Sequence, residues 1–269
     1  MKLKFAVSGA AGRMGRMLVN VVSQDPDCQL VSAVEAQGHP QMGEDSGEVA
    51  GIGPIGVPIN FDIEGDPDVL LDFSTPEASM HRAQECAGQD IAVVIGTTGF
   101  SDEQVEQLRS ATASVIPLLV APNMSVGVNL MFELAAQAAE AVGEDWDIEI
   151  VEAHHNQKKD APSGTANGLA EVICDTLNWD QASVLCHGRA GAVGKRPHKQ
   201  IGVHAIRGGD IIGTHTVTFA GEGQTIEITH RAGSRDIFAR GAVRAGKFLC
   251  GKPAGFYTMK DVLRKSSGE

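Results

Sequence analysis

Short apolar runs alternate with helical patterns through the first half of the chain. Strands that are separated by helices in this way are typical of a parallel sheet. Two helix starts support the pattern, because Ser74 to Glu77 offers a cap followed by proline and Ser101 to Gln104 forms a capping box. The predicted strands are Leu3 to Val7, Gln29 to Val34, Val69 to Phe73, Ile91 to Ile95 and Pro117 to Ala121.

The pattern changes after Asn123. A helix is predicted from about Val128 to Ala141, and the segment from Asp147 to Glu152 alternates apolar and polar residues as a half-buried strand does. A final helix is predicted from about Asp236 to Cys250, followed by a short tail. The chain therefore predicts an α/β nucleotide-binding domain followed by an α+β domain. Further strands, antiparallel or mixed, are predicted at Ile201 to Ile206, His215 to Ala220 and Gln224 to His230.

Composition and charge narrow the classes of function. The 269 residues are 42% hydrophobic and 21% charged, which is close to the average for globular proteins. The net charge of -12 opposes a nucleic-acid or anionic-membrane partner, because such partners repel an acidic protein. No apolar stretch approaches the roughly 20 residues of a membrane helix. The five cysteines are scattered without a CxxC pair, so we expect a reducing cytoplasm and no zinc ribbon.

The first predicted strand runs into a glycine-rich loop with a GxxGxxG pattern, formed by Gly9, Gly12 and Gly15. In dinucleotide-binding folds the first glycine allows a tight turn, the second admits the pyrophosphate and the third permits close helix packing. Glu35 ends the second strand 20 residues beyond Gly15, where the adenosine ribose needs an acceptor. The two features indicate a dinucleotide site, and a structural turn with a solvated carboxylate is the alternative.

Two more loops follow predicted strands at the edge where open α/β sheets bind ligands. They are Gly96 to Gly99 and Ala121 to Met124, and their small residues permit close backbone contact. Both loops are candidates for contact with the nicotinamide half of a dinucleotide. Ordinary turns are the alternative.

The most informative segment lies between His154 and Thr165. Histidine exchanges a proton near neutrality, with an ordinary pKa of about 6.5, and the lysines supply a cation or a proton. Ser163 resembles a helix N-cap, which places the N–H groups of Gly164 and Thr165 at an anion-binding helix N-terminus. Metal binding is disfavoured, because the adjacent His154 and His155 point to opposite sides of an extended chain. The segment predicts a catalytic loop, with a structural polar loop as the alternative.

Together these motifs resemble the dihydrodipicolinate reductases, also called 4-hydroxy-tetrahydrodipicolinate reductases, of the diaminopimelate route to lysine. The similarity extends over essentially the whole chain, and the histidine–lysine segment is far more specific than the glycine loop. The motifs that carry it, in the order of the family, are Gly9 to Gly15, Gly96 to Phe100, Asn123 to Asn129, Glu152 to Thr165 and Gly241 to Ala245.

The resemblance implies an NAD(P)H-dependent reduction of 4-hydroxy-tetrahydrodipicolinate, a small cyclic dicarboxylate, to tetrahydrodipicolinate. It implies a Rossmann-type dinucleotide-binding domain at residues 1–125 and 236–269, and a substrate-binding and oligomerisation domain with a mixed sheet at residues 126–235. It also implies a cytoplasmic homotetramer with no bound metal. The cofactor is then NADH, NADPH or both.

The resemblance also implies roles for individual residues. His154 would donate or accept a proton, and Lys158 would donate one. The substrate carboxylates would be held by His155, Lys158, Gly164 and Thr165. The cofactor would be contacted by Gly9, Ala10, Ala11, Gly12, Arg13, Met14, Glu35, Gly96, Thr97, Thr98, Ala121, Pro122, Asn123 and Met124.

One position departs from the family pattern. Members that use NADPH well often place an arginine directly after the acidic residue, whereas here Glu35 is followed by Ala36 and Gln37. Arg13 and Arg16 lie close enough in sequence to offset the charge of Glu35. We predict that NADH is used at least as well as NADPH.

Two other functions are alternatives. A semialdehyde dehydrogenase needs a cysteine nucleophile in a catalytic loop, and none of the five cysteines lies in one. A non-catalytic nucleotide sensor would keep the glycine loop but has no use for the histidine–lysine segment.

Overall fold

The computed structural model describes residues 1–264, and the chain divides into two compact units. The first unit combines Met1–Val126 with the chain from Asp236 onward, and the second unit is Gly127–Arg235. Within the described residues no helix is both long enough and apolar enough to cross a membrane.

The elements alternate strand and helix through the first unit and then change to runs of strands. A short 3-10 turn at Gly143–Asp145 follows the fifth helix. The strands are β1 (Leu3–Ser8), β2 (Cys28–Val34), β3 (Ile59–Asn60), β4 (Val69–Asp72), β5 (Ala92–Ile95), β6 (Pro117–Val120), β7 (Asp147–His154), β8 (Leu185–Cys186), β9 (Ile201–Arg207), β10 (Thr214–Gly221), β11 (Gln224–Arg231) and β12 (Gly255–Tyr257). The helices are α1 (Arg13–Gln24), α2 (Ser46–Ala50), α3 (Pro76–Ala87), α4 (Asp102–Thr112), α5 (Val126–Val142), α6 (Gly164–Leu177), α7 (Gln181–Val184), α8 (Asp236–Leu249) and α9 (Met259–Leu263).

The first unit is built on a parallel sheet in the order β12-β6-β5-β4-β1-β2-β3. Alternate residues of β1 point to opposite faces, so Phe5 and Val7 share a core with α1 and α8, whereas Ala6 shares one with α3 and α4. The chain moves outward from β1 through β2 and β3, then returns to β4 on the other side of β1. That reversal is the switch point where open α/β sheets bind ligands.

Local sequence explains where these helices begin. Thr75 caps α3 by accepting a hydrogen bond from the Ala78 amide, with Pro76 as the first helical residue. Ser101 and Gln104 form the capping box predicted for α4. The α/β fold with a Rossmann-type parallel sheet is confirmed.

The end of the chain differs from the sequence-based expectation. The sequence predicts a short tail after Cys250, whereas in the structure β12 joins the parallel sheet beside β6 and α9 follows it. Thr258 and Asp261 form a capping box that starts α9, and the Arg109 guanidinium lies 4.3 Å from the centre of the Phe256 ring. A strand of three residues is too short to show a periodic pattern in the sequence. The contact that stabilises it is its pairing with β6, which lies far away in the sequence.

The second unit is built on a sheet in the order β11-β10-β7-β9-β8. β10 pairs antiparallel with β7 and β11, whereas β9 pairs parallel with β7 and β8, so the predicted mixed sheet is confirmed. One face packs against α5 and α6. Its buried side chains include Ile148, Ile150, Val203, Val217 and Phe219 from the sheet, with Met131, Ala135, Leu169 and Ile173 from the helices.

Candidate active site

The glycine loop after β1 is shaped by close backbone contacts. Gly9 has a φ of +73°, and a Cβ atom there would lie 2.7 Å from the Phe73 carbonyl oxygen. A Cβ atom on Gly15 would lie 2.0 Å from the Gly9 carbonyl oxygen, so α1 packs directly on the loop. Gly12 is the N-cap of α1 and offers no side chain over the helix N-terminus. The loop therefore has the backbone geometry that a dinucleotide pyrophosphate needs.

Glu35 lies beside this loop. One carboxylate oxygen accepts a hydrogen bond from the Ala11 amide at 3.1 Å, and the other accepts from the Ala36 amide at 3.0 Å. The Arg16 guanidinium donates to the Ala11 carbonyl oxygen at 2.8 Å and is therefore tied to the loop. The acidic residue predicted to accept from a ribose hydroxyl thus lies where β1 and β2 end.

A cavity of about 550 Å³ opens over the glycine loop and Glu35. Its size falls within the range of small-molecule and cofactor sites, which is about 300–1,000 Å³. Four predicted cofactor residues line it: Gly9, Ala11, Gly12 and Glu35. The other lining residues are Ser8, Ala36, Gln37, His39, Phe61, Phe73, Ser74, Thr75, Ala78, His81 and Arg82.

The remaining predicted residues of the glycine loop lie outside the lining of this cavity. Ala10 is buried, and its amide donates to the Val34 carbonyl oxygen at 3.1 Å. Arg13 is the first residue of α1 and is exposed. Met14 packs against the core beneath the sheet. These three residues therefore shape or flank the loop.

The loop after β5 is joined to the turn after β4 by a buried hydrogen-bond cluster. Asp72 is fully buried, and it accepts hydrogen bonds from the hydroxyls of Thr97 at 2.9 Å, Ser79 at 2.5 Å and Ser74 at 2.8 Å. A Cβ atom on Gly96 would lie 2.1 Å from the Phe73 ring. The adjacent Thr98 is exposed.

The loop after β6 lies next to the loop after β5 at the same edge of the sheet. The Ala121 amide donates to the Ile95 carbonyl oxygen at 3.0 Å, and the Asn123 side chain accepts from the Ser125 amide at 2.9 Å. Met124 is buried, and Pro122 is exposed. The loops after β2, β1, β4, β5 and β6 thus lie in order along one edge of the sheet. Neighbouring strands are about 4.8 Å apart, so the row spans about 19 Å.

The histidine–lysine segment begins at the end of β7 in the second unit. In the sheet, His154 lies opposite Arg207 of β9, and Glu152 lies opposite His215 of β10. Glu152 and His154 are two residues apart, so they project from the same face of β7. Strand register therefore brings the four side chains together.

Glu152 is the centre of this group and is fully buried. Its carboxylate is hydrogen-bonded to His154 Nδ1 at 2.6 Å, accepts from the Ser163 amide at 3.1 Å, and accepts two hydrogen bonds from Arg207 at 2.7 and 2.8 Å. Burial raises the pKa of Glu152, but the bonds from Arg207 and His154 outweigh it and leave the pKa below its ordinary value. The carboxyl group is thus ionised at neutral pH.

His215 closes the group on the side of β10. Its Nε2 lies 3.0 Å from the Ser163 hydroxyl, and its ring meets that of His154 edge-on with centres 5.1 Å apart. Burial lowers the pKa of His215 to about 4, and the neighbouring charge of His154 adds to the effect. His215 is therefore neutral at pH 7.

The rest of the segment is tied to the same group. Lys158 pairs with Asp160 at 2.9 Å, and the Asp160 carbonyl oxygen accepts from Arg207 at 2.8 Å. His155 is half-buried, and its carbonyl oxygen accepts from the Lys158 amide at 3.2 Å. Lys158 is therefore linked to the buried carboxylate of Glu152 through Asp160 and Arg207.

The predicted anion site is the start of α6. Ser163 caps the helix by accepting from the Ala166 amide at 3.2 Å, and Gly164 and Thr165 form the first turn. Because Glu152 also holds the Ser163 amide, one carboxylate fixes both His154 and the helix start. All of these residues lie in the second unit, whereas the predicted cofactor residues lie in the first.

Sequence reasoning did not assign Glu152, Arg207 or His215 to the site. A signal for two of them was present, because Glu152 and His215 occupy the inward phase of β7 and β10 among apolar residues. Among the described residues, no group of three or more histidine, cysteine, aspartate or glutamate side chains is arranged to hold a metal ion.

Comparison with known proteins gives consistent matches over both units. A family model described as "Dihydrodipicolinate reductase, N-terminus" matches residues 3–124, and one described as "Dihydrodipicolinate reductase, C-terminus" matches residues 127–263. A 4-hydroxy-tetrahydrodipicolinate reductase from Anaeromyxobacter sp. (strain Fw109-5) is 51% identical over 96% of each chain. One from Trichlorobacter lovleyi is 48% identical over 97% of this chain and 98% of that protein.

A solved structure has the same architecture over nearly the full length. It is a dipicolinate-bound dihydrodipicolinate reductase from Paenisporosarcina sp. TG-14, with a TM-score of 0.78 and 27% identity. The match covers 98% of this chain and 100% of that chain.

Proposed function

The chain belongs to the dihydrodipicolinate reductase family, and from that premise we propose which of its residues carry out the reduction. The protein is an NAD(P)H-dependent oxidoreductase of the diaminopimelate route to lysine, which reduces 4-hydroxy-tetrahydrodipicolinate to tetrahydrodipicolinate. The first unit binds the dinucleotide, and the second unit binds the substrate. His154 and Lys158 handle the protons of the reaction.

The observation that carries this proposal is the position of Glu152. Its carboxylate bonds His154 and the Ser163 amide, so a proton-transferring side chain and an anion-binding helix N-terminus are held by one group. The solved relative binds dipicolinate, a cyclic dicarboxylate. The substrate carboxylates are held by His155 and Lys158 with the first turn of α6 at Gly164 and Thr165.

The cofactor lies along the carboxyl edge of the parallel sheet. A bound nicotinamide supplies the hydride. The chain holds the adenosine end at the cavity beside Glu35, the pyrophosphate at the glycine loop, and the nicotinamide end at the loops after β5 and β6. Their candidate contacts are Gly9, Ala10, Ala11, Gly12, Arg13, Met14 and Glu35 at one end, and Gly96, Thr97, Thr98, Ala121, Pro122, Asn123 and Met124 at the other.

NADH is used at least as well as NADPH. The Glu35 carboxylate accepts a ribose 2′-hydroxyl hydrogen bond but repels a 2′-phosphate. The next residue, Ala36, carries no charge. Arg82 lines the same cavity, but its guanidinium is already engaged with Glu85 at 2.6 Å and with the Phe61 carbonyl oxygen.

A semialdehyde dehydrogenase is disfavoured by the state of four of the five cysteines. Burial raises the pKa of Cys28, Cys174 and Cys250 to about 11 and raises that of Cys86 further. A buried thiol with a raised pKa is a poor nucleophile, because the thiolate is the reactive form. The other alternative, a non-catalytic nucleotide sensor, gives no role to the hydrogen-bonded side chains around Glu152.

The test is an absorbance assay at the nicotinamide band with the enzymatically generated cyclic precursor, run with NADH and NADPH. Lys158→Ala is expected to lower kcat by about 10²–10⁴, the usual contribution of a general acid. Lys159→Ala is the matched control, since Lys159 is the exposed neighbour on the same loop. Equal turnover in the two variants would contradict the role of Lys158.

The protein acts as a cytoplasmic homotetramer, with the second unit forming the subunit contacts. The five cysteines are free, which fits a reducing compartment. Light scattering coupled to size-exclusion chromatography tests the assembly, and a monomer at micromolar concentration would contradict it.

A further inference from the structure

The Glu152 carboxylate takes part in four hydrogen bonds. One carboxylate oxygen meets His154 Nδ1 at 2.6 Å and an Arg207 nitrogen at 2.8 Å. The other meets a second Arg207 nitrogen at 2.7 Å and the Ser163 amide at 3.1 Å. A carboxylate has about four lone-pair sites, so these four bonds fill it.

The bonding pattern fixes the direction of the bond to His154. Arg207 and the Ser163 amide can only donate, and an ionised carboxylate can only accept. His154 Nδ1 must therefore carry the proton in this bond. The lone pair of the neutral ring, or the second proton of the charged ring, is then at Nε2.

The space beside His154 Nε2 is kept open by a glycine. A Cβ atom on Gly213 would lie 3.2 Å from Nε2 and 3.5 Å from the neighbouring ring carbon. Arg207 on β9 and the neutral His215 on β10 also lie beside the ring. Because Gly213 has no side chain to cover it, Nε2 is the ring nitrogen available for proton transfer.

We propose that Glu152 is a positioning residue, whose carboxylate, held by Arg207 and the Ser163 amide, fixes His154 with Nδ1 protonated and Nε2 as the proton-transferring atom. The proposal rests on the proposed function of His154. Glu152 does not itself touch the substrate, and its contribution is orientation of the ring and choice of tautomer.

The same strand supplies a matched control. Glu149 is also bonded to a histidine, His204 at 2.8 Å, and to Arg189 and Arg196. Glu149 and Glu152 are three residues apart in β7 and therefore project from opposite faces. Removing either carboxylate disturbs a histidine–arginine cluster, but only Glu152 is bonded to His154.

The Glu152→Gln variant tests the proposal. A glutamine has one acceptor oxygen and two donor hydrogens, so in either orientation its amide nitrogen meets an Arg207 nitrogen donor to donor, together with either the Ser163 amide or the Nδ1–H of His154. We expect kcat to fall by at least about tenfold, toward the 10²–10⁴ range of a misplaced acid/base group, with the KM for NADH within about twofold of wild type. Glu149→Gln is expected to keep the wild-type kcat.

Nitrogen NMR of histidine side chains in the unmodified, full-length protein reads the tautomer directly, with His154→Gln used to assign the signal. The expected result is a His154 ring protonated at Nδ1 in the wild type and in Glu149→Gln, and a ring with Nδ1 partly or wholly unprotonated in Glu152→Gln. A wild-type ring with Nε2 protonated and Nδ1 unprotonated would overturn the proposal, even if Glu152→Gln failed to fold. Wild-type turnover in a folded Glu152→Gln variant would also overturn it.

Failure of the underlying function gives a different result. If His154→Gln retained wild-type turnover, His154 would not be the proton carrier, although the tautomer in the wild type would still report what Glu152 does to the ring. The two outcomes are therefore separate.

Discussion

The neutral, buried His215 makes the second unit sensitive to mild acid. Only 4% of His215 is exposed, and burial lowers its pKa from 6.5 to about 4. The groups that face it are His154 and Glu152 on β7, Lys158, and His230 on β11. Between about pH 4 and pH 6.5, the side chain of His215 binds a proton in the unfolded chain but not in the folded chain. This contribution to the free energy of unfolding is therefore fully present above about pH 6.5, decreases as the pH falls from about 6.5 to about 4, and is completely lost below about pH 4.

The size of this effect follows from the shift in pKa. One pKa unit corresponds to about 1.36 kcal/mol. A lowering of the pKa from 6.5 to about 4 therefore reduces the free energy of unfolding by about 3 kcal/mol once the pH is below both pKa values. At pH 5 the same two pKa values give a loss of about 2 kcal/mol relative to pH 7.5. Burial also lowers the pKa of His230, so the titration of His230 reduces the free energy of unfolding in the same direction as the pH falls.

Urea unfolding of wild type and His215→Gln at pH 7.5 and 5.0 measures the contribution of His215. Both tryptophans, Trp146 and Trp179, lie in the second unit, so their fluorescence reports the unfolding of that unit. Glutamine does not titrate, and its amide can donate to the Ser163 hydroxyl. The wild type is expected to lose about 2 kcal/mol more than this variant between the two pH values. The loss from His230 is common to both proteins.

His187→Gln provides the control, because His187 is exposed and lies in the same unit. It is expected to follow the wild-type pH dependence. If the unfolding free energies of wild type and His215→Gln changed in parallel across this range, His215 would titrate alike in the folded and unfolded chains, contrary to this prediction.

Two further changes test the site. Gly213→Ala places a methyl group 3.2 Å from His154 Nε2. We expect it to lower kcat by about tenfold, because the acid/base group is slightly displaced. Gly233→Ala is the control, since its Cβ atom meets nothing within 4 Å, and it is expected to keep the wild-type kcat in the same steady-state assay. Ala36→Arg adds a cation beside Glu35 and is expected to raise kcat/KM for NADPH relative to NADH by about tenfold, since one charge-assisted hydrogen bond contributes about 1.5–3 kcal/mol. An unchanged cofactor ratio would contradict the placement of the ribose.

The parallel sheet was predictable because its strands are short, apolar and marked by strong helix caps. β12 was not, because its pairing with β6 is a long-range contact that leaves no periodicity in three residues. The same limit applies to the cavity. Phe61 and Arg82 reach it from a loop and from α3, and nothing local in the sequence reports that approach.

The candidate site was predictable in part. Ser163 as a helix cap followed from its position before Gly164, and the structure confirms the cap. Glu152 and His215 carried a signal, because each is a polar residue at an inward position of an alternating strand, and such a residue needs buried partners. Arg207 carried none, since its pairing with Glu152 depends on the register of β9 against β7.

We propose that His154 transfers a proton in the reaction, whereas the first unit binds the cofactor. Measurement of kcat together with the NADH dissociation constant of His154→Ala tests it most directly. We expect kcat to fall by about 10²–10⁴. The dissociation constant, measured from the change in fluorescence on NADH binding, is expected to stay within about twofold of wild type. An unchanged kcat, or a dissociation constant that rises in step with the loss of kcat, would contradict it.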